Sequence, residues 1–206
     1  MKKIYAALIL AAILALILVW YFRDRTAEEA ERLATVLDLR PGRVVADIGA
    51  GDGRFSLAMA RRVGASGRVI ATELDAGELA KLRSKFGGRE PGNVTVVEGA
   101  AAETNLPPEC CDAILLRGVY HHFTRPDAMN ASLLRSLKPG GRLAVVDFAP
   151  STFLNLFFPI KDAPKRHGGH GVPRRVLIEE LQRAGAQVDA SIDDWYRGQY
   201  CVVFRR

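Results

Sequence analysis

Cysteine is scarce in this chain of 206 residues, and its positions rule out two common ways of stabilising a small protein. The three cysteines are Cys110, Cys111 and Cys201, an odd number of which two are adjacent. Neither a disulfide framework nor a cysteine-based zinc site fits this spacing. The composition therefore favours a reducing compartment.

Long blocks of like charge are also missing, although the chain is basic. Lys and Arg number 29 against 23 Asp and Glu, which gives a formal net charge of +6, but these charges are spread along the chain. Without a basic arm or interleaved basic and aromatic residues, nucleic acid is not an expected partner. An attraction to anionic lipid remains compatible with the charge.

One long apolar run lies near the start of the chain. The segment Ile4–Phe22 contains no charge, and its 19 residues span roughly 28 Å as a helix, close to the thickness of bilayer hydrocarbon. We expect residues 1–25 to form a single-pass membrane anchor and residues 26–206 to form the folded domain. The alternative, a cleaved signal peptide, would have an unusually long apolar region with no A-x-A step after it. The arginines after the run favour a cytoplasmic position for the domain.

The remaining sequence alternates short aliphatic runs with helical patterns. Because strands separated by helices join through right-handed crossovers, this alternation predicts an α/β fold with a doubly wound, mostly parallel sheet. The last two strands have no helix between them, so we expect them to pair antiparallel. The predicted strands are Val44–Ile48, Val69–Thr72, Val94–Val97, Ala113–Leu116, Leu143–Val146, Val188–Ile192 and Tyr200–Phe204.

A glycine-rich loop follows the first predicted strand. Its residues are Gly49, Ala50, Gly51 and Gly53, in a G-x-G-x-G pattern. Glycines at such a turn let a ligand approach the backbone. The nicotinamide fingerprint G-x-G-x-x-G would need glycine where this chain has Arg54. Asp47 precedes the loop by two residues, and Glu73 ends the next strand, where a carboxylate can bind a ribose diol. This joint spacing predicts a nucleoside site.

Several motifs together resemble those of class I S-adenosylmethionine-dependent methyltransferases. They are Asp47–Gly53, Glu73, Ser136–Leu143 and Val145–Asp147. The resemblance covers roughly residues 33–204, and it implies a seven-stranded sheet in the order 3-2-1-4-5-7-6 with the seventh strand antiparallel. It also implies that S-adenosylmethionine is the cofactor, that Asp47 orients its methionine part and that Glu73 binds its ribose hydroxyls. The other implied cofactor-binding residues are Leu74, Ala100 and Arg117, the last through its backbone. Ala100 is a departure, because many members carry an acid there to bind the adenine.

Tyr120, His121 and His122 are the candidate catalytic residues. They follow the fourth predicted strand, at the sheet edge that carries the glycine loop. A histidine can take a proton at neutral pH, and methyl transfer needs a base only when the acceptor is a weak acid. The alternative, in which both histidines bond to the backbone and open the next segment, stays open. His167 and His170 have no acids or cysteines nearby, so no metal site is predicted.

The segment Phe153–Ile160 is unusually apolar for a connection between a strand and a helix. Either it covers its own domain, or it lines an acceptor pocket or enters a bilayer, with Lys161, Lys165 and Arg166 at lipid phosphates. The second interpretation predicts a membrane-anchored methyltransferase with a small-molecule or lipid-like acceptor. Two alternatives remain: a non-catalytic module that keeps the fold, and a short-chain nicotinamide-dependent reductase, whose Tyr-x-x-x-Lys pair is missing here. The sequence makes no prediction of the oligomeric state.

Overall fold

The structure is a computed structural model, and it describes residues 26–88, 91–157 and 160–206. The predicted anchor, residues 1–25, lies outside these ranges. Within them, no helix combines the length and the apolar character needed to cross a membrane. The transmembrane helix therefore stays a prediction.

Strands and helices alternate along most of the described chain, as the periodicity predicts. The strands are β1 Val44–Ile48, β2 Arg68–Glu73, β3 Val94–Glu98, β4 Cys111–Arg117, β5 Leu137–Phe148, β6 Gln187–Tyr196 and β7 Gln199–Arg205. The helices are α1 Thr26–Val36, α2 Arg54–Val63, α3 Ala76–Phe86, α4 Pro126–Ser136, α5 Thr152–Phe157 and α6 Arg174–Arg183. Short 3-10 turns lie at Tyr120–His122 and Lys165–His167.

All seven strands belong to one sheet in the order β3-β2-β1-β4-β5-β7-β6, which confirms the predicted order. Neighbours among β1 to β5 are parallel, and β7 is antiparallel to both β5 and β6. The five parallel strands therefore end along one side of the sheet, which we call the carboxyl edge. In doubly wound sheets, ligands bind beyond this edge.

Both faces of the sheet are covered, which explains why its central strands are almost continuously apolar. Val45 and Leu115 pack in a buried cluster with residues of α1 and α2. Ile114 and Leu116 pack in a second cluster with residues of α4 and α6. Successive strand residues point to opposite faces, so neighbouring positions such as Ile114 and Leu115 enter different clusters.

Helix α1 begins at the carboxyl edge. Close to its start, the buried carboxylate of Glu29 accepts hydrogen bonds from Arg117, the last residue of β4, at 3.0 and 2.8 Å. At the opposite end of the helix, Arg142 donates to the carbonyl of Val36 at 2.8 Å. Because Arg142 lies well before the end of β5, these two contacts orient α1 against the strands. Thr26, the first described residue, therefore lies at the carboxyl edge.

Two segments differ from the sequence-based expectation. Lys138–Gly141, which lies before the predicted strand Leu143–Val146, belongs to β5, where the pairing with β4 shifts in register. The apolar connection after β5, for which no helix was predicted, contains α5. There the side chain of Asn155 donates to the carbonyl of Gly168 at 2.7 Å, a tertiary contact that no local pattern encodes.

Candidate active site

The glycine loop between β1 and α2 turns through left-handed backbone conformations at the carboxyl edge. The angle φ is 69° at Gly49, 53° at Gly51 and 69° at Gly53. A Cβ atom on Gly49 would lie 2.3 Å from Cγ2 of Val119, so this close approach requires glycine. A Cβ atom on Gly51 would meet nothing within 4 Å. The loop therefore leaves open space beside its middle glycine.

Glu73 turns its carboxylate towards this loop. One oxygen accepts a hydrogen bond from the backbone N–H of Gly51 at 2.9 Å. The other accepts from the N–H groups of Leu74 at 2.8 Å and Asp75 at 3.1 Å. Carboxylate oxygens have about four lone-pair positions between them, so acceptor capacity remains for a ligand. The backbone thus fixes the carboxylate where a ribose diol can donate to it.

A cavity of about 660 Å³ opens at the carboxyl edge. Its volume lies within the usual range of small-molecule sites, about 300 to 1,000 Å³. The predicted site residues that line it are Gly49, Glu73, Leu74, Ala100 and His122. Its apolar wall includes Ile48, Val119, Phe123 and Met129. Asp75 and Glu103 are the other acids in the lining, and Glu103 lies beside the position where Ala100 replaces an acid.

The other predicted site residues do not line this cavity; they are Asp47, Ala50, Gly51, Gly53, Arg117, Tyr120 and His121. Ala50 donates its N–H to the carbonyl of Thr72 at 2.9 Å, which joins the loop to β2. Gly53 caps the start of α2. A Cβ atom there would lie 2.7 Å from Leu82, so Gly53 sets the distance between the loop and α3.

Asp47 is buried beneath the glycine loop. Its carboxylate accepts a hydrogen bond from the hydroxyl of Ser56 at 2.5 Å, which links the end of β1 to α2. Burial raises the pKa of Asp47 to about 6, and the guanidinium of Arg117 partly opposes this rise. Arg117 itself bonds to Glu29 and stacks over Phe55, with its Cζ 4.7 Å from the ring centre. Its side chain therefore belongs to the contact between α1 and α2, and its backbone role towards the cofactor stays a prediction.

Tyr120 is fully buried in a polar network under the carboxyl edge. Its hydroxyl donates to Glu180 at 2.9 Å and accepts from Asn130 at 2.8 Å. The same oxygen of Glu180 lies 3.0 Å from Nε2 of His167. Burial raises the pKa of Tyr120, so the phenol stays protonated at neutral pH. In this conformation Tyr120 connects the turn after β4 to α4 and α6.

His121 and His122 have different surroundings although they are adjacent. His121 is buried, and its Nδ1 lies 2.8 Å from the buried carboxylate of Asp147, the penultimate residue of β5. Its Nε2 is buried and has no hydrogen-bond partner among the described residues. His122 lines the cavity, and its ring centre lies 4.1 Å from that of His121. Partial burial, with His121 and His170 nearby, lowers the pKa of His122 to about 4, so its imidazole is neutral at pH 7.

Three buried residues of this region had no assigned role in the sequence analysis: Asp147, Glu180 and Asn130. Asp147 belongs to the motif Val145–Asp147, so its place at the end of a strand was a usable signal. Glu180 and Asn130 lie within helices, where a single polar residue on an apolar face carries no signal of its partner. Among the described residues, no group of three or more His, Cys, Asp or Glu is arranged to hold a metal ion. His167 lies within hydrogen-bond distance of Glu180, whereas His170 packs against the ring of His121.

Residues 45–141, which contain the glycine loop, Glu73 and the histidine turn, match a family model described as a methyltransferase domain. The curated ubiquinone/menaquinone biosynthesis C-methyltransferase UbiE of Vibrio vulnificus is 35% identical over 117 residues. This segment is an S-adenosylmethionine-dependent methyltransferase domain. Its cofactor is accordingly S-adenosylmethionine. The alignment with UbiE covers 55% of this chain and 44% of the relative, so the chain matches less than half of that protein's length.

Solved structures show the same fold over most of this chain. An S-adenosylmethionine-dependent methyltransferase from Aquifex aeolicus has a TM-score of 0.69 at 20% identity, covering 91% of this chain and 96% of that one. The [4+2]-cyclase SpnF has a TM-score of 0.70 at 17% identity, covering 87% of this chain and 81% of that one. Since a cyclase shares the architecture, the fold alone does not fix the reaction.

Proposed function

We propose that this protein transfers a methyl group from S-adenosylmethionine to a small apolar acceptor of the quinone type. The observation that carries the proposal is the cavity in which Glu73, the glycine loop and His122 meet on a methyltransferase domain. The acceptor class is supported by the similarity to UbiE, whose name specifies C-methylation in quinone biosynthesis. The apolar wall formed by Val119, Phe123 and Met129 suits a flat, uncharged ring.

The residues at the carboxyl edge fit the cofactor. When bound, S-adenosylmethionine supplies a methyl group that its sulfonium charge already activates. Glu73 would accept a hydrogen bond from a ribose hydroxyl, while the open space beside Gly51 admits the chain that continues from the ribose. Leu74 and Ala100 would bound the adenine side of the cavity. The main task of the protein is to hold the reacting atoms in line, a contribution worth up to roughly 7 to 11 kcal/mol in favourable systems.

His122 is the residue best placed to take a proton from the acceptor. Methylation of a ring carbon replaces a hydrogen, so the acceptor must lose one proton. His122 lines the cavity, is exposed and is neutral at pH 7, so its imidazole has a free nitrogen lone pair for that proton, although the lowered pKa makes it a weaker base than an ordinary histidine. Asp147 favours the protonated form of His122, and it also holds the His121 ring against His122. His121, Asp147 and Tyr120 thus act as positioning residues behind His122.

The domain is attached to the cytoplasmic face of a membrane in this proposal. The uncharged run Ile4–Phe22 is long enough to cross a bilayer, and arginines follow it. Thr26 lies at the carboxyl edge, so such an anchor would hold the cavity close to the lipid in which an apolar acceptor dissolves.

A second candidate function is cofactor binding without methyl transfer. It is favoured by one observation: Ala100 and Ala101 line the cavity where related domains carry an acid, which leaves adenine recognition to Glu103 or the backbone. A nicotinamide-dependent reductase has no such support. Arg54, at the position of the missing glycine, begins α2 and bonds to Asp52 at 2.8 Å.

The test combines calorimetry with a transfer assay on the purified full-length protein. We expect micromolar binding of S-adenosylmethionine, no heat with NAD, and transfer of the labelled methyl group to a short-chain naphthoquinol that lacks a ring methyl group. Binding without transfer to this quinol or to a total lipid extract would favour the non-catalytic module. The absence of S-adenosylmethionine binding would refute the proposed methyltransferase activity.

A further inference from the structure

Helix α5 presents an apolar face to solvent beside the histidine turn. Of the five large hydrophobic side chains that are exposed among the described residues, three lie on this helix: Phe153 at 69%, Leu156 at 75% and Phe157 at 58% exposure. Their i, i+3, i+4 spacing places them on one face, and the rings of Phe153 and Phe157 lie 4.8 Å apart. Contiguous exposed apolar surface of this kind marks an interaction site more often than scattered single residues do.

The side chain of Asn155 holds the helix in this orientation. Asn155 donates to the carbonyl of Gly168 and accepts from the N–H of His170. A Cβ atom on Gly169 would lie 2.3 Å from the Asn155 side chain, so this loop fits closely around the amide. His170 in turn packs against His121, with ring centres 5.0 Å apart. The apolar face is therefore turned outward by specific contacts with the active-site loop.

Positive charge follows the apolar face a few residues further along the chain. Lys161 and Lys165 are exposed, and neither forms an ion pair with any residue that the structure describes. Asp162 is the acid between them, while Arg166 pairs with Glu179 at 2.7 Å. An exposed apolar patch that is followed closely in sequence by unpaired lysines matches the boundary between acyl chains and anionic headgroups.

The uncharged run at the start of the chain also indicates that a lipid bilayer contacts this face. It ends four residues before Thr26, and Thr26 lies at the carboxyl edge. Helix α5 also lies at this edge, because it follows the end of β5. A bilayer that receives the segment Ile4–Phe22 would thus meet the domain on the side that carries α5 and the cavity.

We propose that α5 is a membrane-contact helix, with Phe153, Leu156 and Phe157 inserted at the headgroup boundary of an anionic bilayer and Lys161 and Lys165 at its phosphates. The surface extends the proposed function, since it would bring the histidine side of the cavity to the lipid that contains the acceptor. A contact along one face of a short helix buries only the outer side chains, so the backbone hydrogen bonds of α5 need not change.

Fluorescence at α5 tests this surface without any catalytic step. The full chain, with Cys110→Ser to remove the partly exposed thiol, receives Leu156→Cys and is labelled with the environment-sensitive dye NBD. The matched control is Ser66→Cys, an exposed site in the turn between α2 and β2. Both proteins are reconstituted in vesicles of phosphatidylcholine with phosphatidylglycerol. We expect a blue shift and quenching by doxyl-labelled lipid at position 156, and neither at position 66.

Two outcomes would overturn the proposal. One is equal lipid quenching at positions 156 and 66 in protein that floats with the vesicles. The other is a blue shift at 156 that depends on protein concentration and not on doxyl lipid, which would assign the face to a second copy of the chain. Lys161→Glu with Lys165→Glu should weaken the quenching on anionic vesicles and leave calorimetric binding of S-adenosylmethionine unchanged. Since the dye reports contact with lipid only, a failed transfer assay and a failed membrane contact can be told apart.

Discussion

Replacing Glu73 by glutamine removes the charge that the proposed ribose site depends on. The wild-type carboxylate keeps its three backbone donors, so one of its roughly four acceptor positions is left for a ribose hydroxyl. A hydrogen bond to a charged group contributes about 1.5 to 3 kcal/mol. With about 1.4 kcal/mol for each factor of ten, the lower end predicts a loss of roughly tenfold in affinity for S-adenosylmethionine.

The fold should survive this substitution. A glutamine side chain has one oxygen, so its amide can replace either the contact to Gly51 or the contacts to Leu74 and Asp75. The N–H left without an acceptor lies at the partly exposed mouth of the cavity, where water can reach it. We expect a loss of about 1 kcal/mol in the free energy of unfolding, at the lower end for a lost hydrogen-bond acceptor. The cavity itself should therefore stay intact.

Calorimetry on the wild type, on Glu73→Gln and on a matched control decides the question. Glu98→Gln is the control, because Glu98 pairs with Glu73 in register on the neighbouring strand and does not line the cavity. We expect Glu98→Gln to bind S-adenosylmethionine within twofold of wild type. If Glu73→Gln is folded and also binds within threefold of wild type, the ribose does not lie at Glu73 and the assigned orientation of the cofactor is wrong.

Three further substitutions separate the structural residues from the residues that act on the ligands. Tyr120→Phe leaves Glu180 without its phenol partner, so the free energy of unfolding in urea should fall by about 1 to 3 kcal/mol while cofactor affinity stays unchanged. An unaltered urea midpoint would contradict the stabilising role of the hydrogen bond between Tyr120 and Glu180. His122→Asn should lower kcat by about a hundredfold or more if His122 takes the proton. The Kd of S-adenosylmethionine, measured by calorimetry, should stay within twofold of wild type. A loss of cofactor affinity as large as the loss of kcat would place His122 on the cofactor side of the cavity instead. Burial raises the pKa of Asp47 from 3.8 to about 6, so the native state favours the protonated acid and its stabilisation is lost as pH rises through 6. Asp47→Asn should thus gain stability relative to wild type as pH rises from about 4 to 7, by at most roughly 3 kcal/mol. Urea unfolding at several pH values measures this gain. A stability difference that does not change with pH would refute the expected titration of Asp47.

The sheet and the glycine loop could be predicted from sequence because their signals are local. Buried parallel strands appear in the sequence as aliphatic runs. The absence of a helical pattern between the last two predicted strands indicated that β6 and β7 form an antiparallel hairpin. The requirement for glycine at position 49 arises from a contact with Val119, some seventy residues away, but the left-handed turn that accompanies it is a local property. The spacing of loop and acid therefore predicted where β1, β2 and the cavity would meet.

Helix α5 and the acid Glu180 could not be predicted in the same way. α5 is only six residues long, and its orientation comes from Asn155 binding a loop thirteen residues further along the chain. Glu180 lies on α6 among apolar neighbours, and its partner Tyr120 is 60 residues away. Pairings of this kind depend on how helices dock on the sheet, and no periodicity of the chain records them.

The consecutive residues Tyr120, His121 and His122 show that the docking of helices on the sheet can place adjacent side chains in quite different surroundings. A 3-10 turn places successive residues about a third of a turn apart, so three adjacent side chains leave it in three directions. One reaches the buried acid of α6, one the buried acid at the end of β5, and one the cavity. A motif of three potential proton carriers thus contains a single residue in contact with the ligand space. Because the two buried members fix the turn on both sides, the proposed base is held by residues that never need to touch the acceptor.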